Sequence, residues 1–177
     1  TLTELTDHVH AIRDVFPRPL MVDADTGFGN ALNMQRTIKS LERAGADAIQ
    51  IEDQVFPKRC GHFEGKEVIR AAEMVSKIKA AVDARSDADL LIVARTDAIA
   101  VEGFNAAIDR AHAFREAGAD VGFVEAPITP EQVATIGKLP WPQLANIVIG
   151  GKTPELPNER LREIGFAGVI YANTALQ

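Results

Sequence analysis

The stretch Ala44-Gly45-Ala46-Asp47-Ala48-Ile49-Gln50-Ile51-Glu52 joins a turn, an apolar run and a terminal acid. The tetrapeptide Ala-Gly-Ala-Asp returns at 117–120, again immediately before an apolar run. Each copy follows an amphipathic segment, and its glycine suits the left-handed conformation that commonly ends a helix. The chain is therefore predicted to repeat a helix-turn-strand unit.

Six short apolar runs are predicted to be strands, and amphipathic stretches between them to be helices. The strand candidates are Leu20–Asp23, Ala48–Ile51, Leu90–Ala94, Val121–Val124, Gln143–Ile147 and Gly168–Tyr171. Helical spacing is clearest at Met34, Ile38 and Leu41 before Gly45, and at Ile108, Ala111 and Phe114 before Gly118. Continuous apolar runs suit strands that are buried on both faces. We therefore expect an α/β protein with a parallel sheet.

Length and composition limit the possible functions. The 177 residues, 46% of them hydrophobic, fit a single domain over 1–177. A net charge of -6 without a basic stripe predicts no nucleic-acid partner. No apolar run approaches the roughly 18 residues of a membrane span, and one cysteine cannot form an internal disulfide. We expect a cytoplasmic protein and, because no initiator Met is present, a fragment of a longer chain.

Polar side chains cluster where the predicted strands end, which is the edge at which α/β proteins build their sites. They are Asp23, Asp25, Glu52, Asp53, Arg95, Asp97, Glu125, Asn146 and Asn173. The acids Asp23, Asp25 and Glu52 are hard oxygen ligands that suit Mg²⁺, with Mn²⁺ as a second choice. Acids in these positions also cap helices or bind loop amides, and that alternative stays open. Zinc is not expected, because Cys60 and His62 lack further ligands at zinc spacing.

Cys60, the only cysteine, lies among the basic residues Lys58, Arg59 and His62. Nearby positive charge favours the reactive thiolate, and these neighbours would make a poor apolar core for a structural thiol. Arg95 ends a buried strand and needs an anionic partner there. A substrate carboxylate would serve, as would an internal acid such as Glu125 or Asp97.

Four motifs carry a resemblance to a known family. They are Val22-Asp23-Ala24-Asp25-Thr26-Gly27-Phe28-Gly29-Asn30, Ile51-Glu52-Asp53-Gln54, Lys58-Arg59-Cys60-Gly61-His62 and Ala94-Arg95-Thr96-Asp97-Ala98. Together they resemble the isocitrate lyase and phosphoenolpyruvate mutase superfamily, and within it 2-methylisocitrate lyases and 2,3-dimethylmalate lyases. The resemblance implies a (β/α)8 barrel of the TIM type, a magnesium-bound substrate and a homotetramer that exchanges C-terminal helices. This chain would cover six of the eight units, without the first two strands and the exchanged helix.

The resemblance also implies residue roles and a reaction. Asp23, Asp25 and Glu52 correspond to the metal site, and Cys60 to the proton donor. The further catalytic and substrate-binding positions are Arg95, which would bind the substrate carboxylate, and Lys58, Gly61, His62, Glu125 and Asn146. The implied activity is a magnesium-dependent carbon-carbon lyase. It would cleave a branched 2-hydroxy di- or tricarboxylate, of the 2-methylisocitrate or 2,3-dimethylmalate type, into an α-keto acid and a second carboxylic acid.

Several alternatives remain open. Phe63-Glu64-Gly65-Lys66 differs from the Arg-Pro-Asn-Lys type of run familiar in bacterial 2-methylisocitrate lyases, which favours a smaller diacid. Hydrolysis or decarboxylation of oxaloacetate and phosphonate chemistry are alternatives within the superfamily. A catalytically silent barrel fragment that acts through association is an alternative outside it. The composition of the loop 56–66 suits a lid that closes over substrate.

Overall fold

A computed structural model of the chain describes residues 1–60 and 65–172. The strands are β1 (Met21–Asp23), β2 (Ala48–Glu52), β3 (Leu91–Thr96), β4 (Val121–Val124), β5 (Gln143–Ile147) and β6 (Gly168–Tyr171). The helices are α1 (Leu2–Val15), α2 (Ala31–Arg43), α3 (Ala71–Ala84), α4 (Ile99–Glu102), α5 (Phe104–Glu116), α6 (Pro130–Gly137) and α7 (Asn158–Ile164). All six predicted strands are confirmed. β2 and β3 run one and two residues further than predicted, so Glu52 and Arg95 lie within strands.

The strands form one parallel sheet in the order β1-β2-β3-β4-β5-β6. Each new strand is therefore added beside its predecessor, as in a (β/α)8 barrel, whereas a doubly wound sheet reverses direction at a switch point. The predicted fold class is confirmed, with six βα-type strand units in the described part of the chain. None of the described helices is long and apolar enough to cross a membrane.

Burial differs between the middle and the edges of the sheet. Residues Ile49–Glu52 of β2 and Ile92–Thr96 of β3 are buried throughout, as predicted for strands covered on both faces. The prediction is wrong for β1, where Met21 is 39% exposed, and for β6, whose residues are only partly buried or exposed. These two strands lie at the ends of the described sheet, with one neighbouring strand each, so less structure covers them.

The two Ala-Gly-Ala-Asp copies build the same turn at the amino edge of the sheet. Gly45 and Gly118 follow α2 and α5 with φ values of 96° and 106°, a conformation that glycine adopts without steric cost. Asp47 accepts hydrogen bonds from Arg13 and from the backbone N–H of Leu20. Its counterpart Asp120 does the same with Arg85 (2.6 Å) and the N–H of Ile92 (2.8 Å). Each aspartate thus ties its own strand to the preceding one.

Candidate active site

A row of polar side chains crosses the carboxyl edge from β2 to β5. Glu52 lies 3.4 Å from Nε of Arg95, and Nη2 of Arg95 lies 3.8 Å from Glu125. The side-chain amide of Asn146 donates to both oxygens of Glu125 at 3.3 Å. Parallel pairing places Glu52 beside Arg95 in register, which explains their approach. The structure therefore brings four of the sequence-predicted site residues into one continuous line.

Arg95 is buried, and its guanidinium is largely held by acids of the protein itself. It donates from Nε and Nη2 to Asp97 at 2.9 and 3.1 Å and lies 5.1 Å from the ring centre of Phe123. Desolvation acts to lower its pKa, but the charges of Glu125 and Asp97 outweigh that effect and raise it. Both internal partners considered from the sequence are present. Nη1 forms no hydrogen bond with another described residue, so this edge of the guanidinium can still donate.

Glu52 is completely buried, yet its carboxylate lacks hydrogen-bond donors. Neither oxygen has a hydrogen-bond partner within the described residues, because the 3.4 Å approach of Arg95 is an ionic contact only. Desolvation raises the pKa of Glu52 to about 8, against the opposing charge of Arg95. A buried carboxylate with two unsatisfied acceptor oxygens calls for a proton or a cation.

Two further acids, Asp23 at the end of β1 and Asp25 in the loop that follows, lie beside Glu52. Asp25 has a positive φ of 50°, and its backbone carbonyl accepts the N–H of Glu52 at 2.8 Å. Its own N–H donates to Asp23 at 3.0 Å, and its carboxylate pairs with Lys58 at 2.9 Å. Desolvation acts to lower the pKa of Lys58, but the hydrogen bond to Asp25 and the charge of Glu52 outweigh it and raise that pKa. The ion pair between Lys58 and Asp25 therefore holds the described start of the cysteine loop, residues 56–66, next to these acids.

Cys60 is exposed, so the alternative of a buried structural thiol is wrong. The backbone next to it is held by a side chain that the sequence did not single out. Gln54, only 2% exposed, accepts the N–H of Arg59 and donates to the Arg59 carbonyl, both at 2.9 Å. Lys66, the last residue of the loop 56–66, is buried and donates to Asp97 at 3.0 Å. The predicted residues Gly61 and His62, like Asn173, lie outside the described part of the chain.

A second buried ion network, also missed from the sequence, lies beneath this site. Asp53 accepts hydrogen bonds from Thr96 (2.7 Å), the N–H of Asp97 (2.9 Å) and Arg110 (3.1 Å). Arg110 continues to Glu102 near the surface. Burial raises the pKa of Asp53 to about 6, although these donors favour the carboxylate. The only sequence signal was an arginine on the inner face of α5, in register with buried Ala107 and Phe114.

The acids suit a hard cation, but the described side chains alone do not form a complete set of metal ligands. In residues 1–60 and 65–172, no three acidic, histidine or cysteine side chains converge closely enough to surround a metal ion. Mg²⁺ usually keeps several waters and takes only one or two carboxylates directly. The two unsatisfied oxygens of Glu52, with Asp23 and Asp25 beside it, match that mode. The residues present therefore fit magnesium with water-mediated contacts.

Comparison with known proteins places the chain in a family. The family model for phosphoenolpyruvate phosphomutase matches residues 1–177. The chain belongs to this family. Two related proteins are 2,3-dimethylmalate lyase of Eubacterium barkeri, 46% identical over 99% of the chain, and 2-methylisocitrate lyase of Aeropyrum pernix, 51% identical over 100%. The chain spans 61% and 57% of their respective lengths.

Solved structures of phosphoenolpyruvate phosphomutase relatives agree with this fold. A crystal structure of 2,3-dimethylmalate lyase, a PEP mutase/isocitrate lyase superfamily member, gives a TM-score of 0.95 at 37% identity. The match covers 99% of this chain and 60% of the lyase. Phosphonopyruvate hydrolase, crystallised with oxalate and Mg²⁺, gives 0.84 at 34% identity, covering 99% of this chain and 62% of its own. That hydrolase is a relative whose crystal contains the metal.

Proposed function

We propose that the parent protein is a magnesium-dependent carbon-carbon lyase acting on a branched 2-hydroxy di- or tricarboxylate. The observation that carries this proposal is the buried, unsatisfied carboxylate of Glu52 between Arg95 and the Asp25–Lys58 pair. Relatives about half identical to the chain are named as lyases of such acids. The products would be an α-keto acid and a second carboxylic acid.

The charge balance of the site supports a requirement for a metal. Among the described residues, five carboxyl groups meet there with three cationic side chains: Asp23, Asp25, Glu52, Asp97 and Glu125 against Lys58, Lys66 and Arg95. A substrate with two or more carboxylates would add negative charge to a surplus of acids. Binding therefore needs further positive charge, and Mg²⁺ at Asp23, Asp25 and Glu52 would supply it. Once bound, the metal would polarise the hydroxyl and the developing carbonyl of the substrate as a Lewis acid.

The side chains of the chain position and protonate the substrate in this mechanism. Nη1 of Arg95 would hold a substrate carboxylate, while Asp97 fixes the other edge of the guanidinium. One of the carboxylates Asp23, Asp25 and Glu52 takes the proton of the 2-hydroxyl, and the bond between the second and third carbons breaks as the carbonyl forms, which leaves its electron pair on the third carbon. Cys60 then donates its thiol proton to that carbanion. The two hydrogen bonds between the Gln54 side chain and the Arg59 backbone orient the chain next to the Cys60 thiol.

The test is magnesium-dependent release of α-keto acid from a panel of 2-hydroxy di- and tricarboxylates. Cys60→Ser is expected to lower turnover by about 10² to 10⁴-fold while substrate still binds, because only proton transfer is lost. Lys79→Met, at an exposed lysine of α3, serves as the control and should match the unaltered enzyme. Unchanged turnover in Cys60→Ser would remove Cys60 from the mechanism.

A smaller diacid, such as 2,3-dimethylmalate, is the form of substrate that we favour. Lys66 ends the run that departs from the bacterial 2-methylisocitrate lyase pattern, and its ammonium is engaged by Asp97 inside the protein. It is therefore poorly placed to receive a third carboxylate. Higher kcat/KM for a tricarboxylate than for the diacid would contradict this choice. Carbon dioxide release from oxaloacetate that tolerates Cys60→Ser would favour the decarboxylase alternative.

Length and assembly complete the proposal. The chain spans about three fifths of its lyase relatives, which supports the inference that two further strands and an exchanged helix belong to the parent protein. The intact mass of the native protein tests that length, and native mass spectrometry tests the proposed homotetramer. A native protein of this length that associates with other subunits but turns over no substrate would support the silent-fragment alternative.

A further inference from the structure

A cavity of about 360 Å³ lies beside the candidate active site, between the loops that follow β1 and β2 and helix α3. Its wall includes the apolar side chains Phe28, Phe56 and Ile69, the hydroxyl of Thr26, and the two charged side chains Lys77 and Glu73. None of the acids assigned to the metal lines it. Its volume is within the range of small-molecule sites.

Lys77 is the residue that indicates a ligand-binding role for this cavity. The residue is only 4% exposed, and its ammonium has no hydrogen bond or ion pair with any described residue. Glu73, one turn earlier on α3, is exposed and lies beyond ion-pair distance. Desolvation lowers the pKa of Lys77, against the opposing effect of Glu73. The Nζ atom is not among the fully buried polar atoms, so the ammonium reaches the open space of the cavity. A largely buried lysine without an ion pair that faces a cavity is suited to bind an anion there.

We propose that this cavity binds a small aliphatic monocarboxylate, at a site distinct from the candidate active site. The carboxylate would pair with Lys77, and the hydroxyl of Thr26, which has no partner in the described chain, would be a second donor. The hydrocarbon part would contact Phe28, Phe56 and Ile69. Lys77 can pair with one carboxylate, whereas a second carboxylate would meet Glu73 and no further cation, and an amine would be repelled by Lys77. This inference stands whether or not the lyase proposal does.

The position of the cavity suggests that its occupant acts on the active-site loop. Thr26 directly follows Asp25, and Gln54, which also lines the cavity, holds the backbone at Arg59. A ligand lying against Gln54 would stabilise the conformation that presents Cys60. The monocarboxylate would therefore act as an effector of that loop.

The binding test uses hexanoate as the probe, followed by ligand-observed NMR without added magnesium. We expect saturable binding with a Kd on the order of 1 mM. Lys77→Met should weaken it at least about tenfold, and Lys79→Met, which alters an exposed lysine of the same helix, should leave it within about twofold. Hexylamine and adipate should bind about tenfold more weakly than hexanoate. Equal binding of hexanoate to the Lys77→Met variant and the unaltered protein would overturn the proposal.

A second measurement needs no variant, so it also serves if Lys77→Met fails to fold. Reductive methylation of the unaltered protein, mapped by peptide mass spectrometry, reports the accessibility of each lysine. Hexanoate is expected to slow methylation of Lys77 and to leave Lys79 unchanged. Protection of Lys58 instead of Lys77 would assign the binding to the active site and contradict the proposal.

Discussion

The two edges of the sheet use acidic residues in opposite ways. At the amino edge, Asp47 and Asp120 each hold an arginine and the backbone N–H of the preceding unit. At the carboxyl edge, Glu52 is more deeply buried than either and has no hydrogen-bond donor among residues 1–60 and 65–172. A paired acid stabilises the native state, whereas an unpaired buried acid destabilises it unless something binds. The amino edge therefore serves stability, and the carboxyl edge is available for function.

Asp53 shows that the role of an acid depends on its hydrogen-bond and ion-pair partners and not on the edge of the sheet at which it lies. It follows Glu52 directly and is equally buried, but it accepts three hydrogen bonds and pairs with Arg110. The two neighbouring acids therefore have different roles. Asp53 stabilises the fold, and the carboxyl group of Glu52 is available to bind a cation. Substitutions at both edges test this distinction.

Asp53→Ala is expected to have the largest effect. Removing the carboxylate leaves the Thr96 hydroxyl and the Asp97 N–H without an acceptor and takes one of the two acidic partners from Arg110, which costs about 3 to 5 kcal/mol of unfolding free energy in total. Urea denaturation followed by circular dichroism measures that loss. Asp109→Ala, at an exposed position of α5, is the control. A loss below about 1 kcal/mol would show that Asp53 is not structural.

Glu52→Gln is expected to act mainly on the pH dependence of stability. Because the pKa of Glu52 is about 8 in the folded protein against an ordinary 4.5, the folded state binds the proton more tightly. Its stabilising contribution is full below pH 4.5 and is lost as pH rises through 8. Titration of Glu52 alone should cost the metal-free protein about 4 kcal/mol across this range, with a slope of at most about 1.4 kcal/mol per pH unit, and Asp53, whose pKa is about 6, adds to the slope below pH 6.

Melting and urea curves between pH 5 and pH 8 measure this slope. Glu52→Gln should flatten it, and Glu116→Gln, at an exposed glutamate of α5, should not. Magnesium should also reduce the slope, because a bound cation replaces the proton that Glu52 otherwise needs. An unchanged slope in Glu52→Gln would show that Glu52 finds another partner in the folded protein.

Asp120→Ala tests the amino edge and should destabilise the protein by about 2 kcal/mol, because Arg85 and the N–H of Ile92 lose an acceptor. Asp47→Ala is expected to cost about half as much, since the carboxylate of Asp47 is 55% exposed and solvent screens its pairing. Denaturant midpoints provide the comparison. A larger loss of stability in Asp47→Ala than in Asp120→Ala would mean that burial does not determine the strength of these two equivalent aspartate–arginine contacts.

Gln54→Ala should have the smallest effect on stability, about 1 kcal/mol, because water can reach the exposed Arg59 backbone that it leaves. Its local effect should be larger. Loss of two hydrogen bonds frees the segment next to Cys60, so trypsin cleavage at Arg59 and alkylation of Cys60 should both accelerate. Glu67→Ala, an exposed position beyond the loop, is the control. Equal cleavage rates would contradict the positioning role of Gln54.

The sequence predicted the sheet well because its physical signals are local. Apolar runs marked all six strands, and the repeated Ala-Gly-Ala-Asp turns correctly marked the ends of α2 and α5. Parallel strands also bring their carboxyl ends together, so the row from Glu52 to Asn146 followed from the strand assignments. Helix α1 was missed although the sequence signals it, because Leu2, Leu5 and Val9 have helical spacing and Thr1 with Glu4 forms a capping box.

Side-chain partners were harder to predict because they join residues far apart in the chain. The contact of Lys66 with Asp97 spans 31 positions, and that of Arg110 with Asp53 spans 57. A lysine in a glycine-containing loop is ordinarily solvated, so nothing in its surroundings indicated burial. The same reason hid Lys77, whose helix has a second lysine two residues later at an exposed position.

The anchoring of the cysteine loop has a consequence for evolution and engineering. Its described ends are held by residues outside it: Asp25 and Gln54 grip Lys58 and Arg59, and Asp97 grips Lys66. The described positions on either side of residues 61–64 are therefore fixed by contacts with the body of the protein. Exchanging residues 61–64 for those of a relative, with Cys60 retained, is expected to alter substrate range and to leave the stability of the sheet unchanged.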